Sequence, residues 1–118
     1  MMSPFPSSSK HSAEFYDFTN LHELRNACYN LPVAKIVAYA NQADADEVVS
    51  LLIVLEGKKR VEFINGLEID TMARAAEDLH ASELNEMLNQ LPEIRRRRVI
   101  RRFSDHVLYQ LSKYEQNK

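Results

Sequence analysis

A chain of 118 residues with a formal net charge of −2, 45% hydrophobic and 27% charged, has the composition of one ordinary globular domain. Its one cysteine, Cys28, excludes an internal disulfide framework, and no apolar run approaches the roughly 20 residues that span a bilayer. Without a secretory or membrane segment the expected location is the cytoplasm, with no direct membrane insertion.

Residues 1–18 hold Ser-Pro-Phe-Pro and three consecutive serines, and read as a disordered leader to a single domain over 19–118. Asn20 and Glu23 form a capping-box pattern that predicts a helix to about Asn30. Pro32 opens the next helix, to about Gln42. Asp44 and Glu47 then make a second capping pair before the most apolar stretch of the chain, residues 47–56. There Val48, Leu51, Leu52 and Leu55 fall at i, i+3, i+4 and i+7. Val49, Ile53 and Val54 carry apolar surface round to the other side, so this helix is expected to be buried on more than one face and to stop at Gly57; the alternative is that Val49 and Ile53 stay exposed as a partner or dimer patch. A helix over 58–66 follows, then one capped by Asp70 and running to Leu79. Further helices are predicted over 81–91 and 92–103, and Ser104 caps the last. Cys28 falls on an inward position and reads as a core thiol.

Displaced by 36 residues, the chain matches itself. Ile36, Tyr39, Ala40 and Ala43 fall on Met72, Ala75, Ala76 and Leu79; Val48, Leu51, Leu52 and Leu55 fall on Leu84, Met87, Leu88 and Leu91. Arg60, Phe63, Ile64 and Leu67 fall on Arg96, Val99, Ile100 and Phe103, and Glu47 falls on Glu83. Two copies, about 36–71 and 72–107, each hold three short amphipathic helices. The expected fold is all-α: a short right-handed superhelix, or solenoid, of about eight short helices. The second copy is more polar on its outer side, as a terminal repeat would be.

Charge is unevenly placed. Residues 61–94 hold eight acids and one base, whereas residues 95–118 hold eight bases and two acids. On a helix Arg95, Arg98 and Arg102 form one outer edge, with Arg97 and Arg101 on a second. Lys58 and Lys59 start the equivalent helix one repeat earlier. The candidate partner-binding residues are therefore Arg95, Arg98, Arg101, Arg102, Lys58 and Lys59. An acidic protein surface is the favoured partner. Phosphates of a nucleic acid are the alternative, since guanidinium pairs with them bidentately. Against it stand a sequence pI of about 6.1 and the lack of interleaved aromatics. Acidic and basic segments this close can also meet within one molecule or join copies head to tail. His11, His22, His80 and His106 lack metal-ligand spacing, and the Ser-Asp-His run at 104–106 cannot converge as a triad. Neither an enzyme nor a cofactor or metal is expected.

Residues 78–104 resemble one repeat of the cytoplasmic N-terminal domain of MgtE-type magnesium transporters. Leu79-His80, Glu83-Leu84, Met87-Leu88, Leu91-Pro92 and the arginine-rich helix carry the likeness. Similar repeats occur in the flagellar rotor protein FliG. Ala81 stands where that family often has proline, and Gly57 replaces the Leu-Pro junction in the first copy. The resemblance implies a superhelical docking module, an adaptor working through protein contacts or a regulatory subunit beside a transporter or motor. It transfers neither transport nor a metal ligand.

Overall fold

The structure, a computed structural model, describes residues 18–116, with side chains from Leu21 onward. The predicted leader lies outside the described residues except for Phe18. Eight helices run in order, with no strand among the described residues: α1 (Phe18–Tyr29), α2 (Val33–Ala40), α3 (Ala45–Val54), α4 (Gly57–Gly66), α5 (Ile69–Ala76), α6 (Ala81–Asn89), α7 (Glu93–Ile100) and α8 (Asp105–Gln116). From α2 on, the starts at 33, 45, 57, 69, 81, 93 and 105 are twelve residues apart. Each unit is a short helix and a tight turn.

Packing skips one element. α1 packs on α3, α2 on α4, α3 on α5, α5 on α7 and α6 on α8, and α2 also meets α3. Buried positions recur in register. Ile36, Val48, Met72 and Leu84, each three residues after a helix start, are sealed, as are Leu51, Phe63, Ala75, Met87 and Val99 three residues further on. These helices have 8–12 residues, lengths at which an isolated helix is marginal, so the shared core holds them. Burying a Leu, Ile, Phe or Met side chain contributes roughly 1.5–3 kcal/mol.

Several local signals play out differently from expectation. α1 begins at Phe18, so Asn20 lies inside the helix and is not its N-cap. Gly57 opens α4 with φ +59° and does not close α3, which ends at Val54 with Leu55 as its C-cap. Asp70 sits in the first turn of α5, behind Glu68 at the N-cap. Ser104 does cap α8, accepting from the Val107 N–H at 3.2 Å.

The Asp44–Glu47 box does not form, because no Asp44 side-chain cap is made and Glu47, 4% exposed, accepts from the Tyr39 hydroxyl. Its equivalent Glu83 does reach back, accepting from the His80 N–H at 3.2 Å. The difference is one residue. Ala75 stands where Tyr39 stood, so Glu83 has no hydroxyl to hold it elsewhere.

Candidate protein-interaction surface

α7 turns Val99 fully inward and rests Phe103 against the core, which sends most of its arginines outward. They divide into two populations. Arg95 folds back and donates to the Leu67 carbonyl just beyond α4; its Nε is buried without an acceptor among the described residues. Lys59, 36 residues earlier, does the same for α1: its Nζ donates to the Cys28 carbonyl at 2.6 Å and the Tyr29 carbonyl at 3.4 Å. Arg74 of α5 donates to the Ala43 carbonyl after α2 at 3.1 Å. Each cation thus caps the end of the helix three before its own, where the last carbonyls lack intrahelical partners and the helix dipole favours positive charge.

Two residues of the expected binding edge, Arg95 and Lys59, are thus turned onto backbone carbonyls of the protein itself. One guanidinium nitrogen of Arg95, Nη2, and the Lys59 ammonium are engaged in this way. Arg60, the third cation of the 58–60 run, is also engaged, with its Nε on the Leu52 carbonyl at 3.0 Å and its Nη1 3.5 Å from Glu86. Lys58 alone of that run is exposed and makes no ion pair among the described residues. The second basic patch expected beside α7 is therefore a single lysine.

What remains on α7 is a defined face. Ile94, Arg97, Arg98 and Arg101 stand at i, i+3, i+4 and i+7, all exposed, with Ile94 at 68%. Arg97 pairs with Glu93 on its own helix at 2.7 Å, and Arg102 reaches Asp70 of α5 at 2.8 Å. Exposed pairs of this kind contribute about 0–1 kcal/mol, so both arginines can exchange partners. Arg98 and Arg101 make no ion pair among the described residues. The acidic and basic segments meet inside the molecule, but only in part.

On α3 the outer apolar residues are not all covered. Val49 is half-buried, whereas Ile53 is 47% exposed, against the expectation of burial. α3 packs on α1, α2 and α5, and none of these covers its Ile53 edge. Instead Ile53 lines an open hollow of about 540 Å³, together with Leu52, Leu55 and Val61. Glu56, Glu83 and Glu86 rim it, with Arg60 as its one base. A smaller hollow of about 280 Å³ lies between the α5–α6 turn and α8, where His80 and His106 face it beside Glu77 and Asp78. No three His, Cys, Asp or Glu side chains gather with metal-binding geometry among the described residues.

Among the described residues, two titratable groups depart from their ordinary values. Burial pushes the Cys28 thiol up to about 11, against a smaller opposing pull from the Lys59 ammonium. Asp78 is raised by desolvation first and then by Asp46, whose carboxyl is both a like charge and a hydrogen-bond partner, with Glu77 adding to the effect. Both shifts arise from packing.

Sequence reasoning identified the arginine helix but missed the clamps. The signal was present: Lys59 and Arg95 are both cationic and 36 residues apart, each two residues after a helix start. Ile94 was also missed, because the inward stripe alone was traced and the outward one was read only as charge. Compared with protein-family models, with curated proteins and with solved structures, the chain matches none of them. No helix among the described residues is long and apolar enough to cross a membrane.

Proposed function

We propose that this protein is a non-enzymatic interaction module, a short superhelix of 36-residue repeats that binds an acidic protein surface through the outer face of α7. The observation that carries it is the exposed stripe of Ile94, Arg97, Arg98 and Arg101. An apolar anchor ringed by arginines is the composition that protein interfaces favour, because arginine combines bidentate pairing with weak hydration. Lys58 and Arg102 flank the surface; Arg95 and Lys59 support it from within. The regular helix starts, the skipping contacts and the matched Lys59 and Arg95 clamps support the repeat reading. The likeness of residues 78–104 to a docking repeat supports it from the sequence side.

The test is a fluorescence titration against an acidic, leucine-containing helical peptide and, in parallel, against single-stranded and duplex DNA over a salt series. Peptide binding that Arg98→Glu/Arg101→Glu abolishes, with no DNA affinity, is the expected result. DNA binding whose log K falls steeply with log salt, and which the same substitutions abolish, would transfer the face to phosphate recognition. Peptide binding unchanged by the double substitution would overturn the assignment of the site.

A further inference from the structure

Two surfaces of this one chain are complementary. The α7 stripe offers one exposed apolar side chain, Ile94, followed by Arg97, Arg98 and Arg101 over about 10 Å of helix at 1.5 Å per residue. The hollow beside α3, α4 and α6 offers the opposite: an apolar floor of Leu52, Ile53 and Val61 under a rim of Glu56, Glu83 and Glu86. Glu56 and Glu86 have side chains 78% and 62% exposed, so an incoming guanidinium can reach both without rearranging the core. Arg60, the one cation in the rim, sets its Nε on the Leu52 carbonyl and its Nη1 3.5 Å from Glu86, so three carboxylates share a single rim cation, and among the described residues Glu56 has only the exposed Arg25 at 3.9 Å. The rim therefore presents net negative charge to an approaching helix.

We propose that the partner of the α7 face is a second copy of this chain, whose α3–α4–α6 hollow receives Ile94 on its apolar floor and Arg98 and Arg101 on its glutamate rim. This rests on the interaction-module reading above and names its occupant. Stripe and hollow are different patches, so every copy offers one of each. A two-fold axis can satisfy both contacts in a closed dimer, and a simple translation extends them into a chain. Charge complementarity fixes the orientation: stripe against stripe would bring three exposed arginines on each side together, and hollow against hollow would bring the glutamates together. Exposed Ile53 and exposed Ile94, each unexplained by the monomer, cover one another in this contact.

The experiment is a charge swap read by light scattering after size exclusion and by sedimentation velocity. Wild type is measured from about 10 µM to about 1 mM, the span of weak association. Salt is set at about 50 mM and about 500 mM, which shortens the screening length to a few ångströms. One variant carries Arg98→Glu/Arg101→Glu and the other Glu56→Lys/Glu86→Lys; all four positions are exposed, and circular dichroism confirms that each variant keeps its helices. Wild type is expected to assemble at low salt and dissociate at high salt. Each variant alone is expected to stay monomeric, and an equimolar mixture to regain assembly, since each acid face then meets a basic one. A monomeric wild type across the whole range overturns the inference. Variants that assemble as well as wild type, or a mixture that stays monomeric while wild type associates, also overturn it. A monomer that still binds the acidic peptide through Arg98 and Arg101 refutes the second copy alone and leaves the interaction module standing.

Discussion

Replacing Tyr39 by phenylalanine removes one oxygen and tests the most exacting polar contact in the protein. Glu47 lies in the first turn of α3 at 4% exposure, and the Tyr39 hydroxyl donates to it from α2. A buried acceptor left without its donor costs about 1–3 kcal/mol. Tyr39→Phe should therefore lower stability by about 2 kcal/mol. For a domain of this size that corresponds to a melting temperature about 10 °C lower. Urea titration gives the direct reading, as a lower midpoint at unchanged slope. The double variant Tyr39→Phe/Glu47→Leu removes donor and acceptor together and should recover most of the loss, since the carboxylate that needed the hydroxyl is gone. Thirty-six residues on, Glu83→Ala should cost only the value of a cap, about 1 kcal/mol, because Ala75 supplies no hydroxyl to lose. A Tyr39→Phe protein within about 0.5 kcal/mol of wild type, the ordinary range of surface substitutions, would refute the reasoning.

Other measurements probe the remaining packing. A Cβ at Gly66 would stand 2.8 Å from Cγ2 of Val37, so Gly66→Ala should cost about 1–3 kcal/mol through overpacking, while Val37→Ala/Gly66→Ala should be at least as stable as Val37→Ala alone; urea midpoints decide it. Cys28, raised to about 11 from 9.0, should resist thiol reagents in the folded protein and react on unfolding. Its folded state holds the proton more tightly than the unfolded chain, so its contribution is complete below pH 9 and fades as pH rises through 11; fast native labelling would contradict this. Asp78 also has a raised folded value, so its ionised form disfavours folding near neutral pH and the penalty disappears as pH falls through that value. Asp78→Asn should therefore be more favourable relative to wild type at pH 7 than at pH 3, and Asp46→Asn should bring the Asp78 titration, followed by NMR, back toward the ordinary range.

Helix number and class were legible in the sequence because apolar residues at i, i+3, i+4 and i+7 must be buried somewhere, and Ile36, Leu51, Phe63, Met72 and Met87 are. The Ser104 cap was legible because it needs only its own neighbours in sequence. Asp44 and Glu47 satisfy the same local rule, yet a hydroxyl from another helix takes the glutamate. Only tertiary structure brings that hydroxyl near. The interaction surface was partly legible for the same reason. Periodicity sends Arg98 and Arg101 outward, but it cannot tell that Lys59 and Arg95 will reach helix-end carbonyls three helices back. Nor can it tell that Ile53 lies on the one edge of α3 that no neighbouring helix covers.

Packing on the next-but-one helix has a kinetic consequence. The strongest helix–helix contacts join segments two steps or fewer apart, so closing them costs little chain entropy and none must wait for the two termini to meet. Folding of such a chain is expected to be fast for its length, as in other proteins dominated by local contacts. Among the described residues, tension applied at the two ends would meet no extensive helix–helix contact more than two steps apart, only single-side-chain clamps such as Lys59 and Arg95 that reach three helices back. The helices would peel away one after another, and a pulling experiment would record a low, sloping resistance instead of a single sharp rupture.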